Sequence, residues 1–390
     1  MIFKFRDYKL RFFNLRILLY VAILCFMGVQ FVGSASANTA DPSATMMKQV
    51  VGIALGVVMM LIVSLVDYHF LLRLGLPVWI VTIAILVGVR LFGATYNNAR
   101  RWIEILGGRV SIQPSELCKI LLIIVFAALF ARCAQEQKIS KLPTIAQALI
   151  VMAVPVGLIM LQPDLSTSLV IVAVFAVMFF VAGLNYKIIG VVLAALGAGI
   201  AGIMVYAGKI ADPATVSNYQ IKRIMAWLNP ELFPDIVYQQ TNSIMAIGNG
   251  GMSGMGLFNT TLEAVKNGNY LSEQDTDFIF AVVGEEVGFV GSCAIIILIV
   301  LLILECLYLA YKAKDMGGRL ICTGYAGILM FQSFFNIGVA TGLLPNTGLP
   351  LPFLSAGLSS IVSLFIGLGL VLNVGMQREI SRSSSGSYEP

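Results

Sequence analysis

The chain has 390 residues, of which 58% are hydrophobic and only 12% are charged, and its formal net charge is +5. This composition, with a mean hydropathy of +0.91, excludes an ordinary soluble domain. The apolar residues come in runs of about 20, the length of a helix that crosses a bilayer core. These runs do not alternate as the strands of a membrane β-barrel do. We therefore expect an all-α polytopic membrane protein.

About ten transmembrane helices are predicted, and a large loop separates the seventh from the eighth. In chain order the spans are residues 17–33, 47–66, 72–93, 115–134, 142–161, 165–184, 186–207, 277–310, 320–341 and 352–375. An even number of spans puts both termini on one side of the membrane. Most Lys and Arg residues fall in segments on that side, which the positive-inside rule identifies as the cytoplasm.

The predicted organisation has five parts. They are a cytoplasmic basic N-terminus (1–16), helices one to seven (17–207), a large extracytoplasmic loop (208–276), helices eight to ten (277–375) and a cytoplasmic polar tail (376–390). The N-terminus imitates a signal peptide, but its apolar part is longer than a signal peptide's, so we expect an uncleaved first helix. Cleavage of this segment as a signal peptide stays open as an alternative.

Metal and nucleic-acid sites are not indicated by composition. The six cysteines are scattered singly through apolar segments and His69 is the only histidine, so no zinc-type ligand cluster is present in the sequence. We expect the cysteines to fill the core. The positive net charge follows from membrane topology and predicts no nucleic-acid partner.

Two outer segments carry basic residues on the side that the positive-inside rule disfavours. One contains Arg100, Arg101 and Trp102, and the other, in the large loop, contains Arg223. Guanidinium groups bind phosphate oxygens in a planar fork, so these clusters predict a site for an anionic substrate delivered by the membrane. The alternative is an interfacial belt of arginine and tryptophan side chains.

Acidic residues gather where the eighth span is predicted to begin. Asp277 is its first residue, so it is either an acid that stabilises the helix N-terminus or a catalytic base. Glu285 lies about 12 Å further along a helix, too far for the roughly 5–9.5 Å of a glycosidase carboxylate pair. A catalytic Asp277 would therefore work as a single base, with partners from other segments.

Glu285 and Glu286 are predicted to lie within the membrane, where an unpaired charge costs roughly 2.5–3.5 kcal/mol or more. Such residues are expected to be functional or paired. Glu116 and Lys119, one turn apart in the fourth span, are the candidate partners. A structural pair and a substrate role stay equally open, and a proton-coupled transporter would place acids in the same way.

Five motifs in the chain resemble those of the SEDS family, whose RodA and FtsW members polymerise peptidoglycan glycan strands. In chain order they are NNARRWIEI with QPSELCK, LQPDLSTS, IGNGGMSGMGL, YLSEQDTDFIFAVVGEEVG and PNTGLPLPFLSAGLSS. The resemblance implies ten transmembrane helices, cytoplasmic termini and a large outer loop, which agrees with the topology predicted from hydropathy.

The resemblance also implies an activity and its residues. The activity is the joining of lipid II units, with a glycan transferred from undecaprenyl pyrophosphate to an incoming 4-hydroxyl. The family's essential aspartate falls on Asp277, its ARRW tryptophan on Trp102 beside Arg101, and its cavity residues on Glu116 and Lys119. A class B penicillin-binding protein, a transpeptidase, is implied as partner.

The expected chemistry is inverting glycosyl transfer in the bacterial plasma membrane. Asp277 would remove the proton of the acceptor hydroxyl. Arg101, Arg223 and Lys119 would supply positive charge to the pyrophosphate leaving group, a role that a divalent cation could share, and no cofactor is certain. Glu285, Glu286 and Arg100 are assigned to structural charge pairs, and an apolar groove among the membrane lipids would carry the polyprenyl tails.

Two other functions stay open. A flippase for the same lipid-linked precursor would spread acids and bases through the full membrane depth. A non-catalytic scaffold for the penicillin-binding protein would keep glycan synthesis intact after Asp277→Asn. The polar residues are concentrated on the predicted outer face, which favours the enzyme. The sequence leaves open whether the protein acts in elongation or in division or sporulation.

Overall fold

The computed structural model describes residues 13–37, 41–96, 99–105, 110–188, 219–259 and 273–377, with scattered positions within 190–205 and 261–271. Its α-helices, numbered in chain order, are α1 (Leu15–Ala35), α2 (Pro42–Ser64), α3 (Tyr68–Arg73), α4 (Gly75–Phe92), α5 (Pro114–Gln135), α6 (Leu142–Met160), α7 (Leu165–Val181), α8 (Tyr219–Leu228), α9 (Pro234–Asn249), α10 (Ile279–Lys312), α11 (Met316–Ala340) and α12 (Leu358–Met376).

Eight of these helices are long and apolar enough to cross a membrane: α1, α2, α4, α5, α6, α10, α11 and α12. Helix α7 is apolar and has 17 residues, one fewer than α4, the shortest of the eight, and it occupies the sixth predicted span. The prediction of a polytopic α-helical membrane protein is confirmed. Half of the seventh predicted span, 186–207, lies outside the described residues, as do the first 12 residues and the tail beyond residue 377.

Glycines let the central helices approach one another closely. A Cβ added at Gly56 of α2 would lie 2.3 Å from the Phe365 ring of α12, and one at Gly369 of α12 would lie 2.7 Å from the Met60 carbonyl of α2. Close approach through small residues is how helices associate in a membrane, where lipid and leucine are equally apolar. Large apolar side chains on α4 and α6, such as Leu76 and Leu142, are instead exposed, as lipid-facing residues must be.

A small sheet, which the sequence analysis did not predict, connects α4 to α5. Strands β1 (Ala94–Tyr96), β2 (Ala99–Ile105) and β3 (Val110–Ile112) pair antiparallel in that order. In register, Ala94 faces Trp102 and Ile103 faces Ile112. Side chains alternate along a strand, so Arg101 projects from the opposite face of β2 to Arg100 and Trp102.

Three predicted spans begin later than expected, and for the third span helix α4 begins at Gly75 rather than at residue 72. Helix α10 begins at Ile279 rather than at residue 277, and α12 begins at Leu358 rather than at residue 352. Pro350 and Pro352 restrict the preceding residues to extended backbone, so residues 342–357 form an irregular stretch, here called the 342–357 segment. Together with the starts of α5, α7 and α10, this segment lies at one end of the helix bundle, here called the site end.

In its described residues, the large loop contains the α-helices α8 and α9 and a glycine-rich turn that docks on α10. Helix α10 is interrupted at Gly288, whose φ of 64° is available at low cost only to glycine. The interruption frees backbone groups for the turn: Met255 N–H donates to the Glu285 carbonyl at 2.9 Å, and Phe289 N–H donates to the Gly251 carbonyl at 2.9 Å. A Cβ at Gly254 would lie 2.1 Å from the Glu286 carbonyl, so this contact requires glycine.

Candidate active site

Asp277 lies in the turn of residues 273–278 that leads into α10, and it is half-buried. The N-cap position of α10 is Phe278, and no side chain caps the helix. Among the residues that the structure describes, no hydrogen bond to the Asp277 carboxylate is formed. The carboxylate is therefore not engaged in capping α10, and it stays available to a ligand.

Glycine at position 348 leaves room for this carboxylate. A Cβ added at Gly348 would lie 2.9 Å from Asp277 Oδ2, and the φ of Gly348 is +71°. Both features exclude a side chain at this position. The 342–357 segment thus passes directly beside the Asp277 side chain.

The surroundings of Asp277 raise its affinity for a proton. Burial raises the pKa of the Asp277 carboxyl to about 7, and the negative charge of Glu273 acts in the same direction. The positive charges of Arg223 and Arg101 oppose this rise in the pKa. Because charges act on a pKa only over short distances in a protein, the two arginines and Asp277 belong to one site.

Each of these arginines is held by backbone carbonyls at the site end. Arg101, on β2, donates from Nε to the Gln162 carbonyl at 3.1 Å and from Nη2 to the Pro163 carbonyl at 2.8 Å. Arg223, on α8, donates from Nη1 to the Asn346 carbonyl at 3.2 Å. A guanidinium group has N–H donors in a fixed planar arrangement, so these bonds orient both groups at the site end.

Asp164 is a residue of this site that the sequence analysis did not select. Its negative charge acts on the Asp277 carboxyl. It caps α7 by accepting from the Thr167 backbone N–H at 3.1 Å and its hydroxyl at 2.9 Å, and it accepts from Gln113 Nε2 at 3.2 Å. The sequence signal was an Asp in front of the apolar helix in QPDLSTS, a typical N-cap position.

Trp102 and Arg100 lie on the face of β2 opposite to Arg101. Trp102 is half-buried and Arg100 is exposed. Neither has a hydrogen bond to Asp277 in the described part of the chain. They border the site through β2, and their roles stay predictions.

Glu116 and Lys119 pair with each other in the first turns of α5. Lys119 Nζ lies 2.8 Å from Glu116 Oε1, and both side chains are almost fully buried. Lys119 also lies among apolar side chains of α5, α7 and α11, including Phe126, Val174 and Ile328. The pair is therefore closer to the helix core than Arg101 and Arg223 are, and no contact with Asp277 is described for it.

Glu285 and Glu286 have different partners from those predicted. Glu286 forms a buried ion pair with Lys266 and accepts the Ser34 hydroxyl, and the Phe258 N–H donates to it at 3.1 Å. Glu285 accepts the Val265 N–H at 2.6 Å and the Lys266 N–H at 3.2 Å. The expectation that Lys119 and Glu116 pair with these acids was wrong, because Lys266 in the large loop folds back onto α10. Lys266 had no motif to single it out in the sequence.

Within the described residues, no group of three His, Cys, Asp or Glu side chains is arranged to hold a metal ion. The cysteines that were expected to fill the core are free thiols, and all but Cys293 are buried.

Comparison with known proteins identifies the family. The family described as "Cell cycle protein" (FtsW, RodA, SpoVE) matches residues 15–380. The chain belongs to this family. It is 33% identical over 343 residues to the peptidoglycan glycosyltransferase MrdB of Escherichia coli, covering 87% of this chain and 88% of MrdB.

Two further relatives extend the comparison. The chain is 34% identical over 369 residues to stage V sporulation protein E of Bacillus subtilis, covering 93% of this chain and 96% of that protein. A solved chain from a peptidoglycan synthase complex that coordinates polymerization and crosslinking superposes with a TM-score of 0.75 at 30% identity, covering 93% of this chain and 97% of the other. These matches span nearly the full length, so the likeness extends to the whole fold.

Proposed function

We propose that this member of the family polymerises lipid II, with Asp277 as the general base. Family membership makes the chain a peptidoglycan glycosyltransferase. The observation that supports the role of Asp277 is a half-buried carboxylate with a pKa of about 7, no hydrogen bond from the described residues, and two arginines acting on its charge. A base whose pKa lies near the working pH accepts a proton most effectively in a transition state.

The transfer step involves one proton and two C–O bonds. The acceptor's 4-hydroxyl gives its proton to Asp277 while its oxygen bonds to the anomeric carbon of the donor. The bond from that carbon to the pyrophosphate breaks, and undecaprenyl pyrophosphate leaves with the electron pair. The leaving group needs no proton, so no second carboxylic acid is required at the site.

Arg101 and Arg223 stabilise the charge that grows on the pyrophosphate. Their bonds to the carbonyls of Gln162, Pro163 and Asn346 orient both guanidinium groups before substrate arrives. Preorganised donors lower the barrier because they need not reorient as charge develops. Lys119, paired with Glu116 deeper in the helix bundle, is the third proposed source of positive charge for the pyrophosphate.

We further propose that the site end faces the outside of the cell and that both termini are cytoplasmic. The distribution of Lys and Arg between the predicted loops supports this orientation. A class B penicillin-binding protein is the proposed partner. Its support is the solved relative in a complex that couples polymerization to crosslinking.

The test is polymerisation of fluorescent lipid II by the purified protein, with a partner whose transpeptidase site is inactivated. Wild type and Asp277→Asn are compared, and Asp235→Asn serves as the matched control because Asp235 is an exposed acid on α9. We expect long glycan strands from wild type and Asp235→Asn and none from Asp277→Asn, with partner binding unchanged in all three.

The other functions give different results in the same assay. Equal polymerisation by wild type and Asp277→Asn contradicts the proposed base. Absence of polymerisation by wild type, together with lipid II transfer across liposome membranes, would indicate the flippase.

A further inference from the structure

Three consecutive backbone carbonyls around Asp277 accept hydrogen bonds from α11 and the 342–357 segment. The Asp275 carbonyl accepts from the Ala356 N–H at 2.8 Å. The Thr276 carbonyl accepts from the Ser355 hydroxyl at 2.7 Å, and the Asp277 carbonyl accepts from Asn336 Nδ2 at 2.8 Å. The backbone on both sides of the proposed base is therefore held, while its carboxylate is left unbonded.

Asn336 and Ser355 each join this turn to the 342–357 segment. Asn336 Nδ2 also donates to the Leu349 carbonyl at 2.7 Å, so its two N–H bonds connect two chain segments. The Ser355 hydroxyl also accepts the Leu351 N–H at 2.7 Å, so it both donates and accepts. The two side chains are almost fully buried, which keeps water from replacing these bonds.

The same segment accepts hydrogen bonds from Arg223 of α8 and from Ser166 of α7. Arg223 donates to the Asn346 carbonyl, and the Ser166 hydroxyl donates to the Thr347 carbonyl. Gly348 lies against the Asp277 carboxylate. Because the segment contacts Asp277 on one side and Arg223 on the other, it sets the distance between the base and the cation.

We propose that Asn336 and Ser355 are positioning residues for glycosyl transfer, which fix the backbone of Asp277 to the 342–357 segment and thereby the place of its carboxylate relative to Arg223. The inference rests on the proposed role of Asp277. Reacting groups must be held closely in place: a displacement of about 1 Å can cost on the order of 100-fold in rate. Groups that orient a catalytic residue through hydrogen bonds supply this rigidity.

The test measures kcat, KM for lipid II and the pH dependence of kcat in the complex with the inactivated transpeptidase. The variants are Asn336→Leu and Ser355→Ala, which lose the donors, and Ser355→Thr, which keeps the hydroxyl. Ser333→Ala is the matched control, since Ser333 is buried on α11 and its hydroxyl has no hydrogen-bond partner in the described ranges.

For Asn336→Leu and Ser355→Ala we expect kcat to fall about 10- to 100-fold while KM changes by less than about threefold. We also expect the acidic limb of the kcat profile to move to lower pH, because a loosened carboxylate is better hydrated and its pKa falls towards the ordinary value. Ser355→Thr should recover most of kcat, and Ser333→Ala should resemble wild type. A purely structural role would lower the amount of folded protein without moving the pH profile.

Three results distinguish failure of this inference from failure of the proposed function. Folded Asn336→Leu and Ser355→Ala with wild-type kcat and pH profile would overturn the inference, even where Asp277→Asn is inactive and the proposed base stands. An active Asp277→Asn would instead contradict the proposed function itself. Where Ser355→Ala does not fold, Ser355→Cys keeps the side-chain size and weakens the donor, and a wild-type profile in that variant would likewise overturn the inference.

Discussion

At the scale of single residues, the ionisation of Asp277 determines the working pH. Its folded pKa of about 7 lies above the ordinary value for an aspartate, so the carboxyl is protonated below about pH 7 and deprotonated above it. Only the deprotonated form accepts the proton of the acceptor hydroxyl. Activity should therefore fall as pH falls through about 7, well above the range where an ordinary aspartate titrates.

Removing the charge of Arg223 should shift the pH at which activity falls, the acidic limb of the kcat profile. Arg223→Ala takes away a cation that opposes the rise in the Asp277 pKa, so we expect the acidic limb to move to higher pH and kcat to fall about 100-fold. Arg223→Lys keeps the charge but loses the planar fork, so its limb should stay near that of wild type. The measurement is the pH dependence of kcat. An unchanged acidic limb in Arg223→Ala would show that Arg223 does not act on the Asp277 carboxyl.

The space at Gly348 gives a second residue-scale prediction. Gly348→Ala would bring a Cβ to 2.9 Å from Asp277 Oδ2 at a φ of +71°, so we expect a loss of kcat of about tenfold or more. Gly183→Ala is the matched control, because Gly183 has a φ of +98° but no atom near an added Cβ. Both variants carry backbone strain of about 1–2 kcal/mol, and only Gly348→Ala should lose activity beyond that shared effect. Equal activity of Gly348→Ala and Gly183→Ala would contradict the close approach of Gly348 to the Asp277 carboxylate.

At the scale of structural elements, the large loop is bound to α10 by an ion pair as well as by backbone hydrogen bonds. Lys266 enters the site end, pairs with Glu286 and donates to Ser34 Oγ of α1 at 2.7 Å. The interruption at Gly288 exposes the carbonyls of α10 to which the glycine-rich turn binds. Loop, α1 and α10 therefore form one packed unit, from which the Asp277 turn emerges.

Breaking this ion pair should loosen the loop. Lys266→Met leaves Glu286 buried and uncompensated, which we expect to destabilise the folded protein by about 3–5 kcal/mol. The double variant with Glu286→Met should recover much of that loss, since two apolar side chains replace two charges. Thermal unfolding and limited proteolysis within residues 250–276 measure both effects, and a double variant as unstable as Lys266→Met would show that the pair is not the main contact.

At the scale of the whole molecule, the proposed orientation has a direct test. Asp235 on α9 and Lys138 between α5 and α6 are both exposed, and they lie at opposite ends of the bundle. In a cysteine-free background, Asp235→Cys should react with a membrane-impermeant maleimide in intact cells, whereas Lys138→Cys should react only after lysis. The reverse pattern would place the site on the cytoplasmic side.

The helical architecture could be predicted because each membrane-spanning helix is indicated by residues that are neighbours in the chain. Runs of about 20 apolar residues indicate spans without reference to any other part of the chain. Helix ends were less accurate where prolines prevent helix formation, as before Leu358. The sheet of β1–β3 was missed because its strands are short, and short strands lack a clear periodic signal.

The candidate site was predictable in its residue types and not in its contacts. The sequence by itself determined a polytopic membrane protein with Asp277 at a helix start and with Arg101 and Arg223 in segments of the same predicted side. Only the tertiary structure decided that Lys266 neutralises Glu286 and that Asn336 holds the carbonyl of Asp277 across 59 residues. Hydropathy and motifs depend on neighbours in the chain, whereas partners of buried charges and carbonyls depend on which helices pack together.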